Sequence, residues 1–163
     1  MTIYSLGRRI ALSAALSAAL SALLPASAAY AELGGVMAGI QTSSTGNSQD
    51  GSPVGLFNGA VLLRTSVDAG GTTVNEYASS TGRIFAYTWQ GPTMPDLPAL
   101  LGPYNAPYRA RATAGLSGVR DLHASHVAGD DVVVESGGQM RSYVGRAWLP
   151  AALPAGVTPD ELN

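Results

Sequence analysis

The apolar and polar positions from Tyr77 to Leu101 follow two periods in succession. Between Arg83 and Gln90 they alternate. Phe85, Tyr87 and Trp89 fall on one side and Ile84, Ala86 and Thr88 on the other, the two-residue period of a strand. Arg83 is the only charge in this run, so the strand is expected to be central. Ser79-Ser80-Thr81-Gly82 before it has turn chemistry. Gly91-Pro92-Thr93-Met94-Pro95 after it stops it, because proline cannot donate to a ladder. Asp96 can then accept from the free amides of a new helix. Leu97, Leu100, Leu101, Tyr104 and Tyr108 recur at helical spacing and form one stripe. The helix is expected from about Leu97 to Thr113, broken by Pro103 and Pro107. Its stripe must be buried, and the sheet it has just left is the nearest surface.

The same patterns extend along the chain. Ala60 to Val67 reads as a strand, Asp68-Ala69-Gly70-Gly71 as a hairpin turn, and Thr72 to Ala78 as a second strand. In the latter, Val74, Glu76 and Ala78 share one face and Thr73, Asn75 and Tyr77 the other. Asp131 to Glu135, a turn at Ser136-Gly137-Gly138, and Gln139 to Leu149 predict a further hairpin. Met140, Ser142, Val144, Arg146 and Trp148 share one face of its last strand. Val119 to Val127 carries an ambiguous strand pattern. Glu32 to Ile40 suits a short strand or an ordered arm. Gln41 to Asn58, rich in Ser, Thr, Gly, Asn and Gln, reads as a flexible linker, so folding is expected to begin near Gly59. At the C-terminus, Thr158 and Glu161 have capping-box spacing around Pro159, and Val157 can meet Leu162. The expected fold class is α+β: an antiparallel sheet of about five strands, meander plus hairpin, with one interrupted helix packed on one face.

Composition changes this picture at the N-terminus. Arg8 and Arg9 precede an uncharged Ala/Leu/Ser run, Ile10 to Leu24, and two small-x-small motifs follow, Ala26-Ser27-Ala28 and Ala29-Tyr30-Ala31. This is the pattern of a cleavable signal peptide over residues 1–31, with cleavage expected before Glu32 and a periplasmic or secreted destination. The apolar run is shorter than the ~20 residues of a membrane span, so no span is expected after cleavage. The arm and linker then occupy 32–58 and the domain 59–163. Seven arginines remain against eleven acids, a net charge of −4. That balance disfavours nucleic acid, which calls for a basic patch. The chain has no cysteine and no lysine. Disulfides, thiolate metal sites, Schiff-base catalysis and a phosphate-loop lysine are therefore excluded.

Two segments, GRIFAYTWQGPTMPDLPALLG and GGQMRSYVGRAWLPAALPAGV, resemble a family of uncharacterised exported proteobacterial proteins, the domain of unknown function 2844. The likeness takes in Leu33-Gly34-Gly35 and then about Ala60 to the end. Its specific parts are the Trp-x-Gly-Pro-x-x-Pro-Asp-Leu and Val-Gly-Arg-Ala runs. The resemblance implies a fold and an exported address; it supplies no chemistry and no catalytic residues.

Candidate chemistry is sparse. His123 and His126 could share a metal on a helix, with Asp121, Asp130 or Asp131, but their spacing fixes no tetrahedral set, so no metal is expected. Ser117, Asp121 and His123 supply the residue types of a hydrolytic triad without a nucleophile elbow. Glu76 with Glu135, or Asp130 with Asp131, could form paired carboxylates, though solvated strand-end acids explain them better. Arg109, Arg111 and Arg120 read as a solvated helix face. The aromatic residues Trp89, Tyr104, Tyr108, Tyr143 and Trp148 form the candidate ligand or partner surface, against the alternative that a small domain buries them as core. No catalytic residue and no cofactor is expected. The function expected is a non-enzymatic accessory or binding module with an unknown exported protein partner. The alternatives are a small-ligand carrier with an apolar pocket between helix and sheet, or an enzyme of unknown class.

Overall fold

The computed structural model describes residues 31–38, 52–115 and 124–162. Its frame is an antiparallel sheet of β1 (Val54–Leu56), β2 (Val61–Val67), β3 (Thr73–Ser79), β4 (Ile84–Gly91), β5 (Ala124–Val127), β6 (Val133–Gln139) and β7 (Ser142–Trp148). The order across the sheet is β1-β2-β3-β4-β7-β6-β5, so two meanders join where β4 pairs with β7. The α+β class holds, with seven strands among the described residues rather than the five expected. The two additional strands are the outermost ones. β1 lies inside the stretch expected to be linker, and β5 lies in the ambiguous stretch. Both are short, and neither had a long enough alternation to be read alone.

The central strand is β4, and its sides are wholly buried from Ile84 to Trp89 apart from a slight exposure of Thr88. The simple alternation expected of it is broken once. Ala86 pairs with Tyr77 but Ile84 pairs with Ala78, so Phe85 is an extra residue in a β-bulge. The bulge resets the parity of the strand. Tyr87 and Trp89 face the helix with Ile84, whereas Phe85 joins Ala86 on the opposite side. The other hairpin also differs from expectation. Ser136, Gly137 and Gly138 lie inside β6, and the chain turns at Met140-Arg141, with Gln139 opposite Ser142 and Arg141 at φ 62°. A glycine pair is a turn signal only when no longer register competes for it.

The helical segment forms as its stripe dictates. Asp96 caps α1 (Leu97–Leu101), its carboxylate accepting from the Ala99 amide at 3.1 Å. A 3-10 turn at Gly102–Tyr104 follows, then α2 (Asn105–Ala114). The break falls at Pro103, and Pro107 is accommodated in the first turn of α2, where its missing N–H costs little. Leu97, Leu100, Leu101, Tyr104 and Tyr108 all pack into one cluster with Val74, Tyr87, Trp89, Val134 and Ala147. The N-terminal arm completes this layer. Leu33 and Met37 are buried in it, Val36 bridges to Arg83, and Leu33 N–H donates to the Leu100 carbonyl at 2.8 Å.

On the other face, Val61, Tyr77, Phe85, Ala86, Val133 and Trp148 are covered by the C-terminal tail through Val157 and Leu162. The capping box of Thr158 and Glu161 shapes that tail. Among the described residues no helix is long and apolar enough to cross a membrane.

Candidate functional site

The tail covers only one half of the second sheet face. The other half is left open by the described residues, and strand register decides what it displays. Thr65 pairs with Asn75, Asn75 with Thr88, Thr88 with Arg146, Arg146 with Glu135, and Glu135 with His126. Directly paired residues point to the same side. One continuous polar rank therefore crosses six strands, about 24 Å at the usual strand spacing.

The rank is internally bonded. Thr65 Oγ1 donates to Asn75 Oδ1 at 2.8 Å, and Asn75 Nδ2 donates to Thr88 Oγ1 at 3.2 Å. Arg146 Nε donates to Glu135 Oε2 at 2.5 Å, and His126 Nδ1 lies 2.9 Å from Glu135 Oε1. Arg146 also holds the tail, through Asp160 at 2.9 Å and the Pro159 carbonyl at 2.8 Å. Its guanidinium stacks 5.3 Å from the centroid of Trp148. Burial works against the Arg146 charge, but the hydrogen bonds it donates to Glu135 and Asp160, and their charges, prevail and raise its pKa above the ordinary value.

Beside this rank runs a second one: Thr73, Gln90, Val144, Gly137 and Ala124. Gly137 and Ala124 bring little side chain to its β6–β5 end. The result is an open groove of about 810 Å³, with Asn75, Thr88, Gln90, His126 and Arg146 along it and Leu162 at its wall. That volume lies within the range of small-molecule sites, ~300–1,000 Å³. The groove offers donors and acceptors from amide, hydroxyl, imidazole, carboxylate and guanidinium groups. Arg146 is matched by two carboxylates, so the groove does not select for anions.

The residues singled out from the sequence are dispersed. Trp89 is buried under the helix with Tyr104 and Tyr108 packed on the same cluster, whereas Trp148 is buried on the opposite face. Tyr143 is half-buried near the β6–β7 turn, its ring against Gly138. Trp89, Tyr104 and Tyr108 pack in the helix–sheet layer, at whose margin Tyr104 and Leu149 line a second hollow of about 470 Å³ with Arg83 and Asp131, and the groove lies on the other side of the sheet. The Trp89 indole lies across Gly145, where a Cβ would come within 2.3 Å of Cζ2, and its Nε1 has no hydrogen-bond partner among the described residues. Glu76 and Glu135 are separated by the sheet itself. Glu76 lies on the helix face, where Arg64 Nη2 reaches it at 2.5 Å. Asp131 pairs with Arg111 at 2.6 Å, and Arg109 is exposed. Ser117, Arg120, Asp121 and His123 lie outside the described residues, so the triad and the two-histidine pair do too. Among the described residues no three His, Asp or Glu side chains group to hold a metal.

Sequence reasoning missed the joining of His126, Glu135 and Arg146. The faces of β3 and β7 were legible by alternation, but which residue stands opposite which depends on register across seven strands.

The family described as a protein of unknown function (DUF2844) matches residues 29–162. No curated protein and no solved structure matches the chain.

Proposed function

This chain belongs to the DUF2844 family of proteins of unknown function, and from that premise we propose that it is an exported, non-enzymatic binding module that engages its partner through the open half of its sheet. The signal-peptide pattern of residues 1–31 supports export. The single observation that carries the binding reading is the polar rank from Thr65 to His126 with the groove beside it. A sheet face that the described residues leave uncovered forgoes apolar burial, and here hydrogen-bonding side chains stand in its place. A protein partner suits the groove best, because its length spans the strands and the second rank adds exposed apolar surface at Val144. Such a partner would gain polar specificity from the rank and contact area from its margin.

The test is site-specific photo-crosslinking in cells exporting the full chain. A crosslinker at position 144 should give one discrete adduct. One at position 109, on the exposed side of α2, should give none. Equal labelling from both positions, or no adduct from 144, would overturn the reading.

A further inference from the structure

We propose that the signal peptide is removed after Ala28, so that the mature chain begins at Ala29. The two small-x-small motifs end at Ala28 and Ala31, and a signal peptidase can read either. The fold distinguishes them. Ala31 is half-buried and packs against the helix-side cluster. Its carbonyl accepts the hydroxyl of Tyr87, a fully buried side chain of the central strand β4. The next residues continue inward from that point. Gly34 N–H donates to the Ile84 carbonyl at 2.9 Å, Ile84 N–H to the Gly35 carbonyl at 2.9 Å, and Met37 N–H to the Gly82 carbonyl at 2.9 Å. The arm is thus a layer of the domain, and Ala31, the first of the described residues, already packs on the core.

Cleavage after Ala31 would take that carbonyl away. It would also place a new α-ammonium on Glu32, at the margin of an apolar cluster, where a charge must keep its water. Cleavage after Ala28 leaves Ala31 as an ordinary peptide and moves the ammonium three residues back along the chain. A second, independent observation agrees: the family match begins at residue 29, the residue this cut would make the first.

The inference rests on the export reading above, and one measurement separates the two. The chain from Met1 to Asn163 is expressed, and the exported protein is analysed by intact mass and N-terminal sequencing. A start at Ala29 is the expected result. A start at Glu32 overturns the processing site while leaving export standing. An uncleaved Met1 start overturns export and the processing site with it. A second measurement reads the contact itself. A chain beginning at Glu32 should melt roughly 3–5 °C below one beginning at Ala29, and Tyr87→Phe should lower the midpoint of the longer chain more than that of the shorter. Equal midpoints would overturn the role given to Ala31.

Discussion

Glu76 shows how one residue can be set by its neighbours on three strands. It stands between Arg64 on β2 and Tyr87 on β4, on the helix side, at 2 % exposure. One carboxylate oxygen is held by Arg64 and the other has no partner among the described residues. Burial raises its pKa above the ordinary 4.5, outweighing the hydrogen bond and charge of Arg64. A raised carboxyl is protonated more readily in the folded chain, so its contribution to stability is complete below about pH 4.5 and is lost as pH rises through the folded value. Glu76→Gln should therefore gain on the wild type as pH rises above 4.5, read as urea midpoints from pH 4 to 8. Parallel curves would refute this. Asp131 has the opposite sign: the Arg111 hydrogen bond holds it below its ordinary 3.8 against a smaller opposing effect of burial, so its contribution is present above that pH and lost in stronger acid. Gly145 is set by contact rather than charge. A Cβ there would lie 2.3 Å from Trp89 Cζ2 and 2.6 Å from the Glu135 carbonyl. Gly145→Ala should cost on the order of 1–3 kcal/mol by overpacking. Gly115→Ala, with no described residue within 4 Å of the added Cβ, should be nearly neutral. Equal chemical-denaturation midpoints for the two variants would contradict this account.

At the scale of elements, β4 and the helical segment determine each other. Tyr87 and Trp89 give the helix stripe a surface, and Leu100 and Leu101 close it. The Phe85 bulge then lets the same strand supply a large side chain to the second layer. Trp89→Ala should cost on the order of 3–5 kcal/mol through lost burial and a residual cavity. That is a large share of the ~5–15 kcal/mol typical of such a domain. Phe85→Ala should cost a similar amount, but in the other layer. Leu100→Ala should consequently add independently to Phe85→Ala and fall short of additivity with Trp89→Ala, since neighbours share a cavity. Equal coupling in both double-mutant cycles would show that the bulge does not separate the layers.

For the whole molecule, Arg146 joins the parts. It ties β6 and β7 through Glu135, the C-terminal tail through Asp160 and Pro159, and the second core through Trp148. Arg146→Met keeps the stem packed on Trp148 but removes these charge-assisted bonds. Amides of the tail near Val157 and Leu162 should then exchange faster, while those of α2 stay protected. Uniform loss of protection would mean that Arg146 supports the entire fold rather than the tail. The same residue sits between the covered half of the face and the groove, so tail position and groove shape should change together.

Much of this was legible in the residues themselves. The stripe of Leu97, Leu100, Leu101, Tyr104 and Tyr108, the cap at Asp96 and the capping box at Thr158 and Glu161 are local properties, fixed within a few turns of chain. So are the alternating faces of β3 and β7, because side-chain direction in a strand follows from its period. Three features depended on partners distant in sequence. The bulge at Phe85 exists because Tyr77 and Ala78 on β3 take one residue fewer than β4 offers. The turn at Met140-Arg141, rather than at Gly137-Gly138, follows from β6 and β7 pairing as far as Gln139 and Ser142. The rank joining His126, Glu135 and Arg146 arises only when β5, β6 and β7 are laid side by side. Period is written in one strand, but register is a property of two, and a one-residue slip would send each of these side chains to the other face.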